Sequence, residues 1–132
     1  MAEPTPRVPR HLALAYLANH QVMTLATTGP LGVWAAAVFY VNDGFDLFFL
    51  SAGHTRHAQN MTAVPHIAAT IQEDYRDWQQ IQGIQLEGNV SLLTNVSRET
   101  AIGRYFQKYP FLGQADASMQ AALAKVNWYV LR

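Results

Sequence analysis

The chain has 132 residues, half of them hydrophobic and 14% charged, with nine basic side chains set against nine acidic ones. That length suits one domain spanning 1–132 around one core, and the balanced charge gives no field to draw in nucleic acid or an anionic membrane. Without cysteine there is no disulfide, no thiol nucleophile and no thiolate metal site, a composition that fits a reducing, cytoplasmic setting.

Residues 1–10 hold three prolines and two arginines. The apolar run that follows, Leu12 to Ala18, is short for a secretory leader and is broken by Asn19, His20 and Gln21, so no leader is expected. No run approaches the roughly 20 apolar residues of a membrane span. Pro9 with Leu12, Tyr16 and Leu17 at helical spacing predicts a short helix that ends near His20 and lids one end of the fold. Val22 to Thr28 reads as a strand, and Gly29-Pro30 breaks it. Val33 to Val41 is a nearly continuous apolar strand running into Asn42-Asp43-Gly44, and Phe45 to Ser51 resumes as the next strand. Three strands in succession through tight turns predict an antiparallel meander.

After Ser51 the pattern changes. Ala52-Gly53-His54 is a loop, Thr55 is placed to cap a helix, and Arg56 to Val64 runs helically until Pro65. His66 to Gln72 and Ile81 to Leu93 are two further strands, joined by a polar segment carrying Asp74, Arg76, Asp77 and Trp78. Ser97 is expected to cap a helix reaching about Tyr109, ended by Pro110. A weaker helix covers Asp116 to Lys125, and Trp128 to Leu131 is a final strand. Many short strands with few helices point to a barrel rather than a βαβ sheet.

Two stretches carry the chemistry. At Ser51 to His57, hydroxyls, a glycine, the cation of Arg56 and the imidazole of His57 converge on a helix N-terminus, where free N–H groups and the positive end of the helix dipole favour an anion such as phosphate. The same residues also suit an ordinary capped surface helix. Trp34-Ala35-Ala36-Ala37 places three tiny side chains on a strand of large ones, which lets a flat ring approach the backbone with Trp34 at its edge, or lets a neighbouring element pack closely. His54, His57 and His66 lie near one another, but their spacing and the lack of cysteine argue against a native metal site. No serine sits in a G-x-S-x-G elbow, and neither G-x-G-x-x-G nor a Walker loop is present. Asp74, Asp77 and Glu87 are unpaired by sequence and read as solvated or ion-paired carboxylates.

The run Val22 to Val90 resembles the pyridoxamine-phosphate-oxidase-like FMN-binding split barrels. Phe49-Leu50-Ser51, a loop and Thr55-Arg56-His57 look like that family's strand followed by Ser-Arg-Lys at the start of a helix. Trp34 to Tyr40, Thr55 to Gln59 and Ile84-Gln85-Leu86-Glu87-Gly88 are similar to a small bacterial branch of proteins without an assigned function. The resemblance implies a mainly β fold, a six-stranded antiparallel split barrel with flanking helices, that forms a homodimer with the cofactor at the subunit interface. It implies FMN gripped at its phosphate by Thr55 and Arg56, with His57 where the family often has lysine. Trp34, Ala35, Ala36, Ala37, Val38 and Phe39 would line the ring through their backbone, Leu50 and Ser51 would lie opposite, and Gln82 or Gln85 would approach from the second subunit.

The vitamin oxidases carry basic residues at both ends of the ring-lining strand, where this chain has Trp34 and Phe39. That departure admits a deazaflavin or heme in place of FMN, and also a barrel that has lost its cofactor. Relatives usually continue through another strand beyond Leu131, and no residue clearly matches the family's pyridoxal-phosphate site, so pyridoxamine-phosphate oxidation itself is not expected. The resemblance implies a flavin oxidoreductase. The alternative is a non-catalytic carrier of flavin or heme. If a proton moves near the ring, His57 is the first candidate to move it.

Overall fold

The computed structural model describes residues 9–114 and 116–132, so the leader question at 1–8 lies outside it. A helix α1 (Pro9–Asn19) leads into β1 (Val22–Gly29), β2 (Gly32–Phe39), β3 (Val41–Asp43) and β4 (Asp46–Ser51). Helix α2 (Arg56–Ala63) precedes β5 (His66–Gln72) and β6 (Gly83–Leu92), followed by α3 (Asn95–Lys108), α4 (Ala117–Lys125) and β7 (Asn127–Leu131). All pairings are antiparallel, in the order β2-β1-β5-β6-β7-β4-β3, and β2 curls back against β4 to make a half-barrel.

Among the described residues the sheet has seven strands where six were expected, because the apolar run Val33 to Val41 is cut at Tyr40. The fully buried Tyr40 side chain donates from its hydroxyl to the Leu17 carbonyl at 2.7 Å, which turns the chain away from β1. Val41 then pairs with Phe48, so β3 belongs to the far end of the sheet. Two further boundaries differ from the sequence reading. Helix α3 begins at Asn95 with Thr94 at its N-cap rather than at Ser97, the entry angle being taken by Asn95 at φ 55°, a conformation asparagine tolerates. Strand β6 begins at Gly83 rather than Ile81, because the Asp77 carboxylate accepts from Gln79 N and winds residues 78–80 into a 3-10 turn.

Alternation along the strands builds the main core. Met23, Leu25 and Thr27 of β1, Ile67, Ala69 and Ile71 of β5, and Leu47 and Phe49 of β4 are all buried, with Ala58 and Met61 of α2 packed among them. Strand β4 is covered on both faces, which explains its unbroken Leu47-Phe48-Phe49-Leu50. Phe48 and Leu50 turn to a second cluster with Trp128, Val130 and the α3 residues Ala101 and Tyr105. The end of α1 is fastened from outside. Lys108 Nζ donates to the Leu17 and His20 carbonyls and lies 4.3 Å from the Tyr40 ring centre, while the Tyr109 hydroxyl donates to Gln21 O and Tyr40 O. Burial pushes the Lys108 ammonium down to about 8. No described helix is long and apolar enough to cross a membrane.

Candidate functional site

Strands β1 and β2 form a hairpin closed by Gly29-Pro30-Leu31-Gly32, where Gly32 at φ 101° takes a conformation closed to other residues. Tyr40 N donates to Gln21 O, so Gln21 and Tyr40 form a hydrogen-bonded pair. The continuous register then makes Met23–Val38, Leu25–Ala36 and Thr27–Trp34 hydrogen-bonded pairs too. Val33, Ala35, Ala37 and Phe39 therefore turn their backbone N–H and C=O groups away from β1. Because β2 ends the sheet order, those groups lie along a free edge.

The side chains of these four residues share the outer face of the sheet, which is open except where the Phe39 ring meets that of Tyr109 at 5.6 Å. Across the strands it reads Ala35, Ala26, Ala68, Glu87 in one row and Ala37, Thr24, Thr70, Gln85 in the next. The four alanines are exposed, and Val33 and Phe39 are 74% and 53% exposed at the rim.

At the barrel end beside β2, α2 starts with a complete cap. Thr55 accepts from Ala58 N at 3.3 Å and donates to Ala52 O at 2.8 Å, leaving the Arg56 and His57 amides as first-turn donors without an intrahelical acceptor. The His57 ring touches the buried Ser51 hydroxyl through Nε2 and lies 3.4 Å from Thr55 Oγ1. Burial holds the His57 imidazole below its ordinary range, so it is neutral near pH 7. Arg56 folds back over the hairpin. Its guanidinium carbon is 4.3 Å from the Trp34 ring centre, one terminal nitrogen donates to Leu31 O at 3.0 Å, and its Nε is buried with no acceptor among the described residues. One turn on, Asn60 is buried and donates to Thr27 Oγ1 at 3.0 Å, which in turn reaches the Trp34 carbonyl at 3.5 Å. Gly29 leaves room for Asn60, since a Cβ there would overlap its amide.

The fold thus brings Trp34, Ser51, Thr55, Arg56 and His57 to one end of the barrel, with the β2 edge beside them. Leu50 does not join them. It faces the second cluster on the opposite side of β4 from Ser51. Ala36 and Val38 point to the inner face, so only their neighbours Ala35, Ala37 and Phe39 contribute side chains to the outer one. Gln85 lies on the outer face three strands from Ala37, about 14 Å away at ordinary strand spacing, so it does not meet Arg56 within one chain. Thr27, Leu31 and Asn60 were not singled out from the sequence. The signal available was the spacing of Asn60 four residues after Arg56, which puts both on one helix face. Among the described residues, no three acidic or imidazole side chains converge as a metal site.

A family model described as pyridoxamine 5'-phosphate oxidase matches residues 10–129. A UPF0306 protein of Yersinia pseudotuberculosis is 34% identical over 106 residues, 79% of this chain and 72% of the relative. The crystal structure of an Agrobacterium tumefaciens protein of unknown function superposes at TM-score 0.78 with 26% identity; all of this chain is covered, and it spans 57% of that longer protein. Two more distant structures share the fold. The heme storage protein HutZ of Vibrio cholerae has TM-score 0.74, 14% identity and coverage of 92% and 87%; an FAD-binding protein of Mesorhizobium loti has TM-score 0.67, 16% identity and the same coverage.

Proposed function

The chain belongs to the pyridoxamine 5'-phosphate oxidase family, and from that premise we propose that it is an FMN-binding homodimer, with the flavin between two copies and an oxidoreductase role. The observation that carries this reading is the free edge of β2, whose outward backbone groups at Val33, Ala35, Ala37 and Phe39 lie beside an unsatisfied cationic corner at α2. A flat ring with alternating donors and acceptors matches such an edge, and the Ala35 and Ala37 side chains leave its approach open.

Residues of this chain divide the work. The first-turn amides of α2 and the terminal guanidinium N–H groups of Arg56 bind the phosphate at the positive end of the helix dipole, and the Thr55 hydroxyl, whose proton goes to Ala52 O, holds the helix end that presents them. Strand β2 orients the ring through main-chain hydrogen bonds, and the outer sheet face of the second copy covers it and excludes water. Gln85 of the second copy then reaches the ring that it cannot reach in its own chain. Bound flavin supplies hydride and electron transfer. Neutral His57, with Ser51 at its Nε2, is the group on hand to hold a proton.

The test is the visible spectrum of purified protein passed through a desalting column, before and after adding FMN and, separately, heme. Flavin bands that elute with the protein are the expected result. A retained Soret band instead, or no retained chromophore after loading, would overturn the reading, and the heme binders that share this fold would then be the guide.

A further inference from the structure

We propose that Trp34 is a positioning residue for the phosphate: its ring holds the Arg56 guanidinium at the mouth of α2, and this pair makes flavin binding depend on the phosphate group. The inference rests on the FMN reading above and concerns a residue the chain itself supplies. An arginine at a helix start ordinarily samples many rotamers in water and gives up that freedom when it grips a ligand. Here Arg56 is restrained before any ligand arrives. It lies 4.3 Å from the Trp34 ring centre, within the range where the negative face of an indole attracts a cation, and it is tethered to the Leu31 carbonyl. That tether uses one of the five guanidinium N–H donors and the Nε–H is buried, leaving the other terminal N–H groups for an anion.

Trp34 in turn is fixed from behind. Its backbone carbonyl meets Thr27 Oγ1, which accepts from Asn60, and Asn60 sits one helical turn after Arg56. Helix α2 therefore clamps the hairpin at two points on one face. The Asn60–Thr27 contact is buried and sets the backbone, and the Arg56–Trp34 contact is at the rim, where a phosphate can reach it. Trp34 is 42% exposed, so its ring contributes little to the core and is replaceable without collapse.

The experiment titrates wild-type protein, W34L, W34F, R56A and the W34L/R56A double variant with FMN and with riboflavin, following flavin fluorescence. Wild type is expected to bind FMN more tightly than riboflavin. W34L, which keeps an apolar side chain and loses the ring, should weaken FMN roughly tenfold and leave riboflavin unchanged, while W34F, which keeps a ring, recovers most of the loss. R56A should weaken FMN at least as much, and the double variant should be no worse than R56A alone. An unchanged FMN affinity in W34L, equal losses for FMN and riboflavin, or losses that add in the double variant would each overturn the positioning role. Wild type that binds neither flavin would overturn the cofactor reading itself, a result distinct from any of these.

Discussion

The two faces of strands β1, β2 and β5 are made by the same residues read alternately, and they have opposite fates. Inward, Met23, Leu25, Ile67 and Ile71 are large and buried; outward, Ala26, Ala35, Ala37 and Ala68 are small and exposed. One-sided antiparallel sheets carry polar residues outside, as β1 and β5 do at Thr24, Thr28, Thr70 and Gln72, but the alanines interrupt that pattern. Alanine there does nothing for solubility and nothing for the core of one chain. It keeps small side chains exposed between Thr24, Thr70 and Gln85, so the inner face accounts for the fold, and the outer face is the one on which the proposed second copy would sit.

The largest expected effect separates the two faces directly. Phe49→Ala, which opens a cavity in the main core, should cost about 3–5 kcal/mol in urea unfolding, whereas Ala37→Asp should leave the far-UV circular dichroism intact and split dimers on sedimentation. If Ala37→Asp unfolds the chain while the protein stays monomeric throughout, the outer face is structural and the contrast fails. A smaller effect tests the corner beside it. Thr55→Ala removes the oxygen that accepts from Ala58 N and should cost about 1 kcal/mol of stability by thermal or urea melts.

The smallest effects are in pH. His57 is held below its ordinary value by burial, so just below pH 6.5 the unfolded chain binds a proton the folded one refuses, and stability should fall as pH drops through that region. Lys108, pushed down to about 8, acts likewise higher up: from about pH 8 towards 10 the unfolded chain still holds its proton, so stability should rise with pH. Above 10 the trend reverses, because burial keeps Tyr40 and Tyr105 protonated in the fold while they ionise in the unfolded chain. Unfolding curves of Lys108→Met at pH 7.5 and 9.5 should show no rise between them. A rise that survives this change would reassign it to another group.

Much of this was legible in the residues, for definite reasons. Thr55 before Arg56 and Pro65 after Val64 bracket α2 by local chemistry alone, and alternation marks β1 and β5. The break at Tyr40 was not legible, because nothing within Val33 to Val41 interrupts the strand. The cause is a hydroxyl bonded to Leu17, 23 residues away. The start of β6 was misplaced for a local reason, the carboxylate of Asp77 outcompeting the strand for Gln79 N. At the site, the residue types around Ser51 and Trp34 were visible, and so was their family pattern. Hidden from a one-dimensional reading were the cation stacked across 22 positions on Trp34, the Asn60–Thr27 clamp beneath it, and the turning of Leu50 to the other side of β4. Each of these depends on pairings between elements distant in sequence.

The most direct test of the central claim is sedimentation of FMN-loaded protein followed at a protein wavelength and a flavin wavelength together. One boundary at twice the 14.7 kDa chain mass, carrying both signals, is the expected result. Flavin absorbance travelling with a single chain, or a dimer that sediments without it, would contradict a cofactor held between two copies.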